Sequence, residues 1–493
     1  MNYFMGTILE GRITGVEKAQ INRLKLFLEN NEDAYCVYSA WNPYTYRNAI
    51  QFGVEENVFT LYDYFQESNK YVNNVKFDWI NFWESEHNYT LKYVQNSNDL
   101  KIYENGRYRM YVHFNDKYYS DIGYINYFDN NQRKIKREIF DTRGFLNCSR
   151  ILGHNQKIVM ENYYNPKGQI RIQKFYDVEY VGNDNRLTRI VIKTDNGDVF
   201  LSSEDELIEY FYKTLFKQGD IFYIDRPYEL GKIVEKIENK IPFYVILHST
   251  HLYNGVIKSI YESIFNHLEN YKGIIVSTMK QKEDLSQLID NKIPVYNISV
   301  GYTEKVSESL INKNFEKPQL ISLSRLVPSK QVEQQIEVIK KVKEVIPNIQ
   351  LNIYGHGGSL QKLLELVKKY NLEKNIHLRG FSNEIEKELK RASLKIFTSK
   401  MEGFALSILE SLTVGTPVIS YDIKYGPNEM IESGVNGYLI EEGNINSMAE
   451  TIIMVLNNSD HLKELSQNSL TSANRYLGFN VFDKWKSVIK SSY

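Results

Sequence analysis

At 493 residues the chain is longer than one typical hydrophobic core accommodates, and roughly two to four domains are expected. Its 60 Lys and Arg balance 61 Asp and Glu, so the net charge of -1 gives no reason to expect nucleic acid or a membrane surface as partner, and any basic site must be local. Two cysteines, no basic-then-apolar leader and no run of about 18 apolar residues exclude a disulfide framework and a transmembrane segment, and lead us to expect a soluble cytoplasmic protein.

Residues 3–8 read as a first strand, 10–14 as a polar loop and 15–27 as a periodic helix, followed by a second strand over 34–39. Gly15 stands where a backbone could approach a ligand, although a plain turn explains it equally well. From about residue 75 to residue 200 the texture changes. Tyr, Phe, Ile and Val alternate with charged residues, and the turn signals Asn105-Gly106, Asn165 to Gly168 and Asn196-Gly197 recur, as in a β-meander. Tyr108, Tyr111, Tyr118, Tyr119, Tyr124 and Tyr127 are read as half-buried sheet residues. A basic cluster, Arg133, Lys134, Lys136 and Arg137, is either a solvated face or an anion-binding patch.

A helix over 204–215 returns the chain to α/β alternation. The apolar strand 242–247 runs into His248-Ser249-Thr250-His251, and ligands collect at the carboxyl ends of strands in open α/β sheets. His248 is therefore a candidate, against a structural role. A metal pair with His251 lacks an acidic or cysteine ligand to complete it. Strands follow over 274–277 and 295–300, and the polar stretch 304–317 reads as a linker. A second α/β series then begins, with a strand at 319–323, a loop to Lys330, a helix over 332–345, and strands at 350–354, 376–378, 394–398, 417–420 and 437–440. The final helix carries Phe482 and Trp485, large enough to dock on another surface.

The chemistry is expected in residues 400–410. Here an apolar strand leads through Glu402-Gly403-Phe404 into a helical pattern that runs from Ala405 past Glu410 into Leu412, so free backbone N–H groups and a helix N-terminus would face a phosphate or a sugar hydroxyl. Glu402 would lie at the loop mouth, with Glu410 eight residues on and a little over two helical turns into the helix. Two α/β lobes around a cleft suit a nucleotide joined to a sugar. Arg325 and Lys330, in the loop after the first strand of the second lobe, are the cations expected on its diphosphate, the bland alternative being two exposed loop cations. Gly355-His356-Gly357-Gly358 lacks dinucleotide-fingerprint spacing, so a nicotinamide enzyme is not supported.

The order Arg325 to Lys330, Tyr354-Gly355, Arg379-Gly380, Glu402 to Phe404, Glu410 and Gly415 to Val418 resembles the nucleotide-sugar lobe of retaining glycosyltransferases of the α/β GT-B fold, two Rossmann-like lobes around a cleft. The β-rich insertion in the N-terminal lobe and Tyr421 to Pro427 narrow the resemblance to bacterial transferases that decorate cell-wall polymers or secreted adhesins. Across almost the whole chain, with Leu247 to His251, Asp141 to Phe145 and Met401 to Phe404 as matching stretches, it is most similar to the staphylococcal enzymes that glycosylate serine-aspartate repeat adhesins.

That resemblance implies transfer of N-acetylglucosamine (GlcNAc) from UDP-GlcNAc to serine hydroxyls with retained configuration. No metal or other cofactor is implied. Glu402, His248, Arg325 and Lys330 would be catalytic. Gly15, Val16, Gly355, Gly380, Phe381, Gly403, Phe404, Ala405, Leu406 and Glu410 would bind the nucleotide sugar. Many relatives carry a glycine pair where this chain has Gly15-Val16. The basic cluster from Arg133 to Arg137 would meet an acidic Ser-Asp repeat acceptor. Residues 1–74 and 201–305 would form the N-terminal lobe, 75–200 an insertion for acceptor binding or oligomerisation, 306–475 the donor lobe and 476–493 a helix docking back on the first lobe. A homo-oligomer and a second glycosyltransferase as partner are expected. Two alternatives stay open: a wall-teichoic-acid α-glycosyltransferase using UDP-GlcNAc or UDP-glucose, and a catalytically silent acceptor-binding partner of a transferase.

Overall fold

The computed structural model describes residues 1–73, 76–180, 182, 185–237, 241–253, 255–306 and 318–492. The start of the insertion at residue 75 and most of the linker expected over 304–317 lie outside these residues. The chain divides into two compact units, residues 1–28 with 32–242, and residues 29–31 with 243–493. The division falls inside the segment read from sequence as the returning part of the first lobe, so the stretch from His248 to His251 belongs to the second unit.

In the first unit the strands Val58–Thr60, Ala34–Tyr38, Asn2–Gly6 and Ile221–Ile224 lie side by side in parallel. All positions of Asn2–Gly6 are buried, as expected of a central parallel strand covered on both faces. The helix Gly15–Glu29 buries Ile21, Leu24 and Phe27, with Phe27 edge-on to Phe4. The insertion is a ten-stranded antiparallel meander in which every strand pairs with its sequence neighbours, from Thr90–Tyr93 to Gly197–Leu201. Strict alternation builds its core: in Arg107–Phe114, Met110, Val112 and Phe114 are buried while the residues between are half-exposed. The turn at Asn105-Gly106 takes φ of 49° and 76°, the mirror-image conformation that matches strand twist in a two-residue hairpin. Tyr108, Tyr111, Tyr124 and Tyr127 are half-buried sheet residues as expected. Tyr118 and Tyr119 are not: they lie in the turn after Phe114, where Tyr118 is 75% exposed.

One buried charge cluster ties the insertion to the parallel sheet's own helices. Arg143 donates to Asp141 through Nε (2.7 Å) and Nη2 (2.9 Å), to Asp63 through Nη2 (2.5 Å) and to the Ser68 carbonyl through Nη1 (2.6 Å). Asp63 also completes a capping box with Thr60 at the start of the helix Leu61–Phe65. Burial opposes the Asp63 charge, but Arg143 and the Thr60 hydrogen bonds hold its carboxyl below the usual range.

The second unit contains the parallel strands Val295–Asn297, Gly273–Val276 and Phe243–Ile246, and a separate six-stranded parallel sheet. Its order is Ile376–Gly380, Gln350–Tyr354, Gln319–Leu323, Leu394–Phe397, Val418–Asp422, Gly437–Glu441. Strand order therefore reverses between Gln319–Leu323 and Leu394–Phe397. The crevice beyond the carboxyl ends of two such strands is where a doubly wound sheet binds ligands. The helix Val332–Val345 packs its Ile336, Ile339 and Val342 into the main core of this unit. The C-terminal helix Gly478–Ser491 buries Trp485 and reaches the Tyr296 hydroxyl through Ser491 (3.0 Å), while Ser492 meets that of Tyr244 (2.8 Å). Among the described residues no helix is long and apolar enough to cross a membrane.

Candidate active site

The two loops at the reversal point are residues 324–331 and 398–405, and they are stitched together. Lys400 N–H donates to the Ser329 carbonyl (2.8 Å), and the Thr398 hydroxyl donates to the Lys330 carbonyl (2.9 Å). Lys330 Nζ then contacts the Ser399 hydroxyl (3.2 Å) and ion-pairs with Glu402. Both side chains of the pair are about one-sixth exposed, at 15% and 16%. The sequence separation of 72 residues is closed by the sheet alone.

Glycine is required at 403 by space. A Cβ there would lie 2.5 Å from the His248 carbonyl oxygen, so the loop passes against the end of the stretch that follows strand Phe243–Ile246. Ala405 then adopts φ 68°, ψ 62°, a left-handed conformation uncommon for a residue with a Cβ, and caps the helix Leu406–Thr413. Among the described residues the amides of Gly403, Phe404, Ala405 and Leu406 donate to no group of the chain, and the first three of these residues are buried. Buried amides without acceptors are costly, and a row of them at a helix start is an anion-binding arrangement. Because the helix begins at Leu406, Glu410 sits a little over one turn into it, not the two expected from its spacing to Glu402.

Arg325 is exposed on the first loop. That loop is fixed to the next one by hydrogen bonds from Ser324 N–H to Tyr354 (3.2 Å) and from Leu326 N–H to His356 (2.9 Å). Gly355 and Gly357, at φ 144° and 157°, permit this contact, since a Cβ at either would overlap the carbonyl of Ser324 or Leu326. Gly355 N–H donates to the Gly380 carbonyl (2.8 Å), and Phe381 beside it is 75% exposed.

Glu402 also borders a cavity of about 300 Å³ with Thr250, Met401, Lys424 and Tyr425. Tyr425 donates to Asp284 (2.8 Å), which is paired with Lys424 (2.9 Å) and Lys280 (3.2 Å). Burial opposes the Asp284 charge, but those contacts hold its carboxyl low. His251 is fully buried and stacks on Tyr425 at 6.0 Å, with no hydrogen-bond partner for either ring nitrogen among the described residues. Burial pushes its pKa down to about 4, so it is a neutral packing histidine. Among the described residues no three His, Cys, Asp or Glu side chains are grouped to hold a metal ion.

One residue escaped the sequence reading. Lys395 lies in the strand Leu394–Phe397, read there only as an apolar run, and is completely buried. Its neighbours Leu394 and Ile396 face the main core, while Lys395 points the other way, under the helix Leu406–Thr413, and donates to the Ser407 carbonyl. Burial pushes its pKa down to about 7, against the attraction of Glu410 and Glu402. A lysine interrupting an otherwise apolar buried strand was the available signal.

The remaining candidates belong to the first unit. Gly15 begins the helix Gly15–Glu29 with open space around the position of a Cβ, and Val16 N–H donates to the Thr14 hydroxyl (3.3 Å). The basic cluster is not one patch. Lys136 pairs with Glu138 (2.5 Å), Arg133 is exposed, and Arg137, one residue on from Lys136 in the strand Lys134–Phe140, projects from the opposite face of the sheet.

Residues 306–471 match the model of the family described as glycosyl transferases group 1. The chain is 27% identical over 383 residues to the poly(glycerol-phosphate) alpha-glucosyltransferase of Bacillus subtilis, a match covering 75% of this chain and 56% of that protein, little more than half its length. It is 28% identical over 359 residues to the poly(ribitol-phosphate) alpha-N-acetylglucosaminyltransferase of Staphylococcus aureus, covering 68% and 70%. With the GtfA subunit of the UDP-N-acetylglucosamine–peptide N-acetylglucosaminyltransferase of Limosilactobacillus reuteri it shares 25% over 509 residues, covering 97% and 96%. The pneumococcal O-GlcNAc transferase GtfA, solved with UDP and GlcNAc, superposes with a TM-score of 0.83 at 20% identity over 99% of this chain and 98% of that one. A GtfA/B complex gives 0.84 at 20% over 99% of each. Those likenesses establish the fold, two Rossmann-like lobes of GT-B type. By these matches residues 306–471 are a group 1 glycosyltransferase domain.

Proposed function

We propose that this enzyme transfers GlcNAc from UDP-GlcNAc, with retained configuration, to serine hydroxyls in acidic Ser-Asp repeat segments of cell-wall adhesins. The observation that carries the reading is the contact of Lys330 with Glu402 beside four unused amides at a helix start. In this reading the donor diphosphate takes the amides of residues 403–406 and draws Lys330 away from Glu402, with Arg325 as the second cation. Charge developing on the departing UDP is then met by N–H groups and cations already in place, and no metal is needed. Released from Lys330, Glu402 faces the sugar, and the 300 Å³ cavity beside it has room for a ring of that size. Glu410 serves the ribose, and His248, whose carbonyl abuts Gly403, borders the sugar. The leaving phosphate helps deprotonate the incoming serine hydroxyl on the same face. Gly15 and Val16 would close over the phosphates.

The peptide acceptor draws support from the GtfA relative matched along 97% of this chain. The polyol-phosphate reading is favoured by the slightly higher identities, 27% and 28%, to two polyol-phosphate transferases. A silent homologue has no need of the Lys330–Glu402 pair. A second transferase as partner follows the GtfA/B complex. Self-association through the meander and a cytoplasmic location, in keeping with the buried free thiols Cys36 and Cys148, complete the proposal. Incubation with UDP-GlcNAc and either a Ser-Asp repeat peptide or a polyol-phosphate polymer tests it. Label on the peptide is expected, and label on the polymer alone would overturn it.

A further inference from the structure

The first unit holds a cavity of about 620 Å³ that the reading above does not use. One wall comes from Glu10 and the segment from Trp41 to Arg47, the other from Tyr124 and Arg137 on the adjacent meander strands Ile122–Phe128 and Lys134–Phe140. Two arginines point into it. Arg137 donates through Nε to the Asn126 side chain (2.7 Å), and its guanidinium lies 4.4 Å above the Tyr124 ring. These contacts fix the plane of the group and leave both terminal nitrogens without an acceptor among the described residues. The Arg47 guanidinium lies 4.7 Å from the Tyr44 ring centroid, again with no carboxylate in ion-pairing distance among the described residues. Two other cations of the same sheet are neutralised, Lys136 by Glu138 (2.5 Å) and Arg150 by Glu161 (2.7 Å). The floor is rigid, since the Leu9 carbonyl accepts from both Asn42 (2.9 Å) and Asn48 (3.0 Å).

Resting on the acidic-peptide reading, we infer that this cavity binds carboxylates of the acceptor chain, with Arg47 and Arg137 each presenting a planar fork to an aspartate. Arginine held over an aromatic ring has already surrendered part of the rotational freedom that binding a carboxylate would cost it. Trp41, Tyr44 and Tyr124 add aromatic surface to the lining beside the two guanidinium groups. Glu10, the one carboxylate in the lining, can accept a peptide N–H, a donor that a polyol-phosphate backbone does not offer.

The test is direct binding of a fluorescent Ser-Asp repeat peptide, without donor, read by anisotropy at several salt concentrations. The double variant Arg47→Ala/Arg137→Ala is expected to weaken binding by about tenfold or more and to flatten its salt dependence. Arg107→Ala, an exposed cation of the same sheet outside the cavity, is expected to change it less than about twofold. Arg47→Lys/Arg137→Lys, which keeps the charge and loses the fork, should fall between them, and matching thermal midpoints verify the fold. Wild-type affinity in the double alanine variant overturns the inference, as does tighter binding of poly(glycerol phosphate) than of peptide by the wild type. Because no donor is present, peptide binding that depends on the two arginines in an enzyme that transfers nothing to the peptide would count against the proposed function and for the cavity.

Discussion

Two clusters of partly or wholly buried charge are built from stretches of similar appearance, Asp141 to Phe145 and Met401 to Phe404, and they do opposite work. Around Arg143 four side-chain nitrogen contacts end on two carboxylates and one carbonyl, with nothing left over for a ligand. Around Lys330 and Glu402 the charges satisfy one another, but a row of amides is unused and a cavity lies alongside. A closed network fixes two parts of a fold, whereas a network with spare hydrogen-bonding capacity waits for substrate. Matching motifs in a sequence therefore do not mark chemistry by themselves.

The sharpest way to break that contrast is to remove one member from each cluster. Glu402→Ala and Lys330→Ala are each expected to lower transfer by at least about 10³-fold while leaving the melting temperature almost unchanged, as measured by UDP release and thermal denaturation. Near-normal turnover in either variant would remove the assignment. Arg143→Ala leaves two buried carboxylates unpaired and is expected to cost about 3–5 kcal/mol of stability in urea denaturation, with activity following the folded fraction. An intact fold would mean the cluster is not the fastening described here.

The same contrast shows what could be read in advance. The alternation of α/β and meander segments and the two loops that carry Lys330 and Glu402 were legible, because apolar periodicity and glycine punctuation are local signals. Arg143 was not legible as a fastening, since its partner Asp63 lies 80 residues away and spacing carries no information on such pairing. The late helix start before Glu410 was hidden because nothing about Ala405 announces a left-handed backbone. Tyr118 and Tyr119 continued an aromatic pattern past the end of their strand. Lys395 was averaged into the apolar run around it.

Two smaller effects separate packing from chemistry further. His251 has a pKa of about 4 in the fold against 6.5 as its ordinary value, so the folded state binds fewer protons and stability is lost as pH falls from 6.5 towards 4. His251→Phe should blunt that acid sensitivity in denaturation curves, and an unchanged slope would show the ring is not buried neutral. Lys395 has a pKa of about 7 against 10.5, so its cost is full below pH 7 and is relieved as pH rises towards 10.5. Lys395→Met should abolish the corresponding rise in stability, read as the difference in urea midpoints between about pH 6.5 and about pH 9.5. Equal slopes in both proteins would place the ammonium in contact with water.

The most direct measurement is the mass of a Ser-Asp repeat peptide after incubation with UDP-GlcNAc and either the wild-type enzyme or Glu402→Ala. Whole N-acetylhexosamine increments on serine with the wild type, and none with the variant, are predicted. Modification that persists in Glu402→Ala, or a peptide left unmodified while a polyol phosphate gains the sugar, would contradict the account.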